Sequence, residues 1–281
     1  MYYYHYSKEM KIFKHKSDLK REIIGKKNLS FVPTMGSLHS GHANLIKKAN
    51  KKTKSTIVSI FINPTQFNSK KDFLSYPRQI SKDLNLLKKL KVKYVYMPSY
   101  SDIYGFNPAS KIFLDKFSKQ LCGKFRKNHF LGVVNVVNRL LDIIKPKYIL
   151  LGKKDFQQLY LIKKHILVNK IKTTVVACST VRMRSGIAYS SRNNNLNKRQ
   201  LLIASRVYLY LKKQKSFIKK NQFSSKIRGS LRDKLKILGV DKIDYIKFLN
   251  LKTLKCPKSK SEPFNIFIAY HLSRTRLIDN F

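Results

Sequence analysis

The chain has no tryptophan, few acids and few cysteines. Only 14 Asp and Glu stand against 60 Lys and Arg among 281 residues, a formal net charge of +46. The three cysteines, Cys122, Cys178 and Cys256, are odd in number, widely spaced and form no CxxC pair. That pattern argues against a disulfide framework or a cysteine metal cluster and predicts free, reduced thiols. No run of about 18 apolar residues occurs, and no charged-then-apolar leader opens the chain, so no membrane partner is expected. The expectation is a soluble protein with a cytoplasmic address. With 43% hydrophobic residues, the chain can still bury a substantial core or divide it between two domains.

Scarcity of acids leaves a large positive excess, which in a clustered form would indicate a nucleic-acid or membrane surface. Here the basic residues run through every predicted helix and loop rather than gathering into one stripe or tail. Such a distribution fits a compositional bias toward Lys, Asn, Ile and Tyr, with surface acids lost, and predicts no specific nucleic-acid partner. The positive potential still attracts anionic ligands such as ATP, and it makes weak, salt-sensitive RNA contacts easy.

After an aromatic start at Met1–Tyr6, strand and helix patterns alternate. Strands are predicted at Leu29–Val32, Ser55–Ile62, Tyr94–Met97 and Tyr148–Leu151, and helices at Ala43–Lys52, Ser81–Leu90, Val133–Ile144 and Phe156–Asn169. Strands apolar on both faces and separated by helices imply an α/β fold: a Rossmann-like, doubly wound parallel sheet whose ligands bind at the carboxyl ends of the strands. From about Val175 the texture becomes more polar, and a smaller α+β domain is expected over 178–281, after a first domain over 1–177. Lys212–Lys220 and Cys256–Glu262 read as solvated loops.

Four loops carry candidate chemistry. The first, Pro33–His42 (PTMGSLHSGH), lies between a predicted strand and helix, where helix N–H groups and the helix dipole favour an anion. His39 and His42 can donate a hydrogen bond or a proton to a phosphoryl oxygen, and Gly41 leaves a face against which a flat base can pack. The second holds Asn63 and Gln66, uncharged amides suited to the hydroxyls and carboxylate of a polyol acid; read alone, it fits an Asn-Pro turn equally well. The third, Gly152-Lys153-Lys154-Asp155, offers a phosphate-neutralising Lys154 and a helix-capping Asp155, with Gln158 one turn on; alone it reads better as a surface lysine pair with an N-cap aspartate. The fourth, Ser190-Ser191-Arg192-Asn193, suits a pyrophosphate as charge develops on it, and by itself is equally a flexible linker.

Together, PTMGSLHSGH, VSIFINPTQF, the YPR at Tyr76–Arg78, KPKYILLGKKDFQQLYLIKK, AYSSRN and TRLIDN at Thr275–Asn280 resemble the pantoate–β-alanine ligase family of the HxGH nucleotidyl-transferase superfamily over nearly the whole chain. The HxGH element indicates only the superfamily; the INPTQF, KDFQQL and SSRN elements together are specific to the family. The resemblance implies that ATP occupies Met35, Gly36, Ser37, Leu38, His39, Ser40, Gly41 and His42, with His42 as proton donor and His39 beside it. Gly152, Lys153, Lys154, Asp155, Val181, Tyr189, Ser190, Ser191 and Arg192 complete the ATP site, with Lys154 and Arg192 also catalytic. Gln66, Gln158, Asn63 and Arg126 would hold pantoate, Gln66 also β-alanine, and Asp83 would lie near Mg2+. The first domain then binds nucleotide and pantoate, the second acts as a lid, and a homodimer is implied.

Some positions depart from the family pattern. Cys122 stands where an acid is common, Lys127-Asn128 replaces Pro-Gly, Leu131 replaces a frequent arginine, and Lys82 and Lys153 sit where acids are usual. The reversals at Lys82 and Lys153 bear on magnesium affinity and on packing beside the ATP loop, so a slow or poorly stable but active enzyme is expected. Two alternatives are another HxGH transferase, and a basic RNA-binding protein that kept the fold and lost the chemistry. Retention of His42, Lys154 and Arg192 argues against the second.

Overall fold

The computed structural model describes residues 10–220 and 223–281; the aromatic start at Met1–Tyr6 lies outside the described residues. The strands are β1 (Lys11–Phe13), β2 (Leu29–Thr34), β3 (Ser55–Ile60), β4 (Tyr94–Tyr96), β5 (Tyr148–Gly152), β6 (Thr174–Cys178), β7 (Lys242–Leu249), β8 (Asn265–Leu272) and β9 (Thr275–Asn280). The helices are α1 (Lys16–Ile23), α2 (Ser40–Lys52), α3 (Lys70–Leu74), α4 (Ile80–Lys89), α5 (Tyr100–Tyr104), α6 (Cys122–Phe125), α7 (His129–Ile144), α8 (Phe156–Val168), α9 (Lys198–Lys220) and α10 (Ser225–Ile237).

The chain divides into two compact units that interleave along the sequence. One comprises residues up to Asp115 with Asn128–Gly152 and Gln158–Cys178; the other comprises Lys116–Lys127, Lys153–Gln157 and Ser179–Phe281. In the first, six strands form an all-parallel sheet in the order β1-β4-β3-β2-β5-β6. β3 is buried along its whole length and β2 nearly so, because each is an apolar run covered by helices on both faces. Val32, Val58 and Val95 pack with Ile46 and Ala49 of α2 and Leu87 of α4. Chain order reverses between β2 and β5, and the loops after these strands hold the first and third candidate segments. β2 and β3 are direct neighbours, so the loop bearing Asn63 and Gln66 adjoins the one bearing the histidines.

The second unit has an antiparallel β7-β8-β9 sheet packed on α9 and α10 through Val207, Leu211, Leu231, Leu235, Phe248 and Ile268. Lys212–Lys220, expected as a solvated loop, is instead the last part of α9. Leu211 and Ile218, seven residues apart, are both fully buried and anchor that face, while lysine is a good helix former on the other. The expected loop Cys256–Glu262 does lie in the turn region between β7 and β8. All three cysteines are free, Cys122 and Cys178 buried and Cys256 exposed. Among the described residues no helix is long and apolar enough to cross a membrane.

Candidate active site

The turn after β2 is built by two left-handed residues, Gly36 (φ 76°) and Ser37 (φ 49°). They turn successive amides to one side, and that concavity is filled by the carboxylate of Asp83 from the first turn of α4. Asp83 is 3% exposed and accepts from Ser37 N at 2.8 Å and Leu38 N at 2.7 Å. A side chain at Gly36 would put its Cβ 2.9 Å from Asp83 Oδ2, so glycine is required both by the backbone and by the close approach.

Helix α2 then starts at Ser40, three residues before its sequence-predicted start, because histidines cap it. His39 Nδ1 accepts from Gly41 N at 3.1 Å and His42 Nδ1 accepts from His39 N at 3.3 Å, a reciprocal capping box with ring centroids 4.1 Å apart. Two amides expected to face an anion are therefore engaged by the imidazoles. An Nδ1 that accepts a backbone N–H carries no proton, which places the ring proton of each neutral imidazole on Nε2. Both rings are half-buried.

Asn63 is both a turn former and part of this wall. It is 1% exposed and caps the short turn Pro64–Gln66. Its Oδ1 accepts from Thr65 N at 3.3 Å and Tyr104 Oη at 2.8 Å, and its Nδ2 donates to Gln66 Oε1 at 3.3 Å and Gly132 O at 3.1 Å. Burial holds the Tyr104 phenol above its usual range, so it stays a donor. Gln66 Nε2 is directed at Met35 Sδ, and Gln66 O contacts His129 Nδ1 at 2.7 Å. Gly132 of α7 lets the turn approach this closely, since a Cβ there would lie 2.4 Å from Thr65 O. Tyr104, His129 and Gly132 were not singled out from sequence; the only hint was the cluster of departures at Lys127, Asn128 and Leu131. Asn128 adopts φ 60°, a left-handed conformation that asparagine tolerates better than most, which explains how it can stand where the family pattern has glycine.

Gly152 and Gln158 belong to the same unit as these loops, whereas Arg126, Lys153, Lys154, Asp155, Val181, Tyr189, Ser190, Ser191 and Arg192 belong to the other. Lys154 Nζ donates to Asp155 Oδ1 at 3.3 Å, and its side chain is 17% exposed. Lys153 is exposed, as is Lys82, so both charge reversals sit where water screens them. Tyr189 N donates to Val181 O at 3.1 Å, closing a hairpin, and Ser190 Oγ caps the turn Ser191–Asn195 by accepting from Arg192 N at 3.3 Å. The Ser/Arg/Asn stretch is thus an ordered turn rather than a flexible linker. Gln157, beside the expected Gln158, is buried; its Oε1 accepts from Cys122 N at 3.0 Å and its Nε2 donates to Phe117 O and Gln120 O at 2.7 and 2.8 Å. It ties the segment leading to Arg126 to the lysine turn. Imidazole and amide donors are concentrated in one unit, a set suited to a hydroxy acid and a phosphoryl oxygen. Cations are concentrated in the other, a set suited to polyphosphate charge. Among the described residues no three His, Cys, Asp or Glu side chains gather into a metal cluster.

A family model described as pantoate-beta-alanine ligase matches residues 7–281. The chain is 40% identical to a pantothenate synthetase of Francisella philomiragia over 266 residues, covering 94% of this chain and 93% of that one. It is 37% identical to a pantothenate synthetase of Methylococcus capsulatus, covering 90% and 89%. Among solved structures it is similar to a pantoate-beta-alanine ligase of Francisella tularensis complexed with beta-gamma ATP and beta-alanine (TM-score 0.81, 35% identity, 97% of each chain). It is also similar to a pantothenate synthetase of Thermus thermophilus (TM-score 0.88, 26% identity, 97% and 99% covered).

Proposed function

The chain belongs to the pantoate–β-alanine ligase family, and from that membership we infer that it condenses pantoate with β-alanine in an ATP-dependent reaction. In the first step the pantoate carboxylate attacks the α-phosphorus of ATP, breaking the bond to the bridging oxygen and releasing pyrophosphate. The β-alanine amine then attacks the carbonyl of the pantoyl adenylate, expels AMP and forms the amide of pantothenate. Free β-alanine amine can bind deprotonated, so no carboxylate base is needed.

Such transfers depend on charge neutralisation and in-line placement more than on covalent catalysis. We assign ATP to residues 35–42, Gly152–Asp155, Val181 and Tyr189–Arg192. His42 donates from Nε2 toward the α-phosphate, and His39 stands beside it. Lys154 and Arg192 offset charge on the departing pyrophosphate. Gln66, Gln158, Asn63 and Arg126 hold pantoate, and Gln66 also contacts β-alanine. The unit that includes Ser179–Phe281 serves as the lid that keeps water from the mixed anhydride.

Mg2+ is implied by the resemblance, with Asp83 near it; Asp83 is buried and each of its carboxylate oxygens accepts a loop amide. It fits a loop anchor, and magnesium would enter on the phosphates of ATP. A cytoplasmic homodimer completes the assignment. The observation that carries the site is the HSGH turn, whose histidines are oriented by their own helix cap. Pantoate-dependent pyrophosphate release tests it: the wild type should release pyrophosphate, His42→Ala should not, and no release by the wild type at saturating ATP and magnesium would overturn it.

A further inference from the structure

TRLIDN, at Thr275–Asn280, is part of the family resemblance but has no task in the mechanism above. In the structure it forms β9, hydrogen-bonded to β8 on one side. From it, contacts reach the segments of its unit that carry the candidate site residues. The carbonyl of Arg276 accepts from Arg192 Nη1 at 3.2 Å. The Arg276 guanidinium, held by Asp244 Oδ2 at 2.7 Å, directs Nη1 and Nη2 to Cys122 Sγ at 3.7 Å, at the start of α6, which Arg126 follows. The Asp279 carboxylate accepts both terminal nitrogens of Arg182, at 2.6 and 2.9 Å, in the hairpin between Val181 and Tyr189. Asn280 Nδ2 donates to the carbonyls of Lys153 and Lys154 at 3.0 and 2.9 Å.

We propose that β9 is the alignment strand of the adenylation site and that Asn280 is the positioning residue for Lys154. This rests on the assignment of Lys154 to the phosphates. Two consecutive carbonyls held by one carboxamide leave the turn Lys153–Asp155 a single orientation, and with it the direction in which the Lys154 side chain departs. An amide nitrogen has two N–H groups, so Asn280 satisfies both carbonyls at once. Aspartate, of the same shape, has no donor and would face both carbonyls with negative charge. Asn280 Oδ1 also accepts from Asn265 Nδ2 of β8 at 3.4 Å, which fixes the carboxamide in the sheet. Asn280 reaches the reaction through the backbone of the lysine turn, so its loss should be felt in the adenylation step and only while Lys154 is present. A displacement of about 1 Å in a positioned group can lower rate by about a hundredfold.

The test measures pantoate-dependent pyrophosphate release by the full chain in single turnover, for wild type, Asn280→Asp, Asn280→Ala, Lys154→Ala and Lys154→Ala/Asn280→Asp. Asn280→Asp should slow adenylation about tenfold to a hundredfold, with Asn280→Ala intermediate, and the double variant should be no slower than Lys154→Ala. Asn280→Ala introduces no charge and serves if the aspartate variant does not fold. If both Asn280 variants adenylate at the wild-type rate while Lys154→Ala is slow, the proposal is overturned and the Lys154 assignment survives. Losses that multiply in the double variant also overturn it, because Asn280 would then act by loosening the fold. Wild-type adenylation by Lys154→Ala would overturn the Lys154 assignment and this inference with it.

Discussion

Asp83 shows how one side chain can set the geometry of an entire loop. Its partners are 45 and 46 residues away in sequence, so neither its anchoring contacts nor the need for Gly36 could be read from the local pattern. Asp83→Asn keeps the shape but turns one acceptor into a donor facing a buried amide, a loss of about 1–3 kcal/mol. We expect a lower melting temperature and a raised ATP KM, measured by thermal unfolding and steady-state kinetics. His165 is a buried histidine of another kind. It is 0% exposed, contacts Asn138 Oδ1 at 2.9 Å, and accepts at Nδ1 from Phe113 N at 3.2 Å. Burial lowers its pKa from 6.5 to about 4. Between those values the unfolded chain binds a proton that the folded chain refuses, so stability falls as pH drops through that window. The expected loss is about 2 kcal/mol from this residue by pH ~5. Urea unfolding should show that slope in the wild type and a flatter one in His165→Asn.

At the scale of elements, β2, β3, β4 and β5 were legible because continuous apolar runs bounded by turn residues have few other solutions in a helix-covered sheet. Helix starts were less legible. α2 is capped by a histidine, an uncommon N-cap, and α7 begins after Asn128, a common N-cap residue that here is left-handed and makes no side-chain cap bond. The end of α9 was hidden because its buried positions are sparse among lysines. The contact of α7 with the Asn63–Gln66 turn depends on Gly132. Gly132→Ala should force the two apart, destabilise by about 1–3 kcal/mol in denaturant titration, and raise the pantoate KM by displacing Gln66.

For the whole molecule, several of the few acids have identifiable structural tasks. Asp18, Asp72, Asp83 and Asp102 each occupy the first turn of a helix, and Glu22, Asp244 and Asp279 each pair with a base. With so few acids and the bases spread along the chain, the charge fits a compositional bias better than a dedicated nucleic-acid face. A net charge of +46 should nevertheless draw polyanions, so the ATP KM should rise with added salt while the pantoate KM changes little. Kinetics across a salt series checks this. Incidental RNA affinity, measured by filter binding, should survive His42→Ala although turnover does not. ATP with pantoate, at about a hundredfold over their dissociation constants, should stabilise the fold by at least about 2.7 kcal/mol, read as a higher melting temperature.

By itself the sequence determined the alternating α/β architecture, the family and the four loops that carry chemistry, because these depend on local periodicity and on short motifs. Tertiary structure alone decided which residues hold those loops in place. Asp83 beneath the histidine turn, Gly132 against Asn63 and Asn280 under the lysine turn act across 45, 69 and 126 residues of chain. Such partners meet only when the sheet order is complete, so no local pattern announces them.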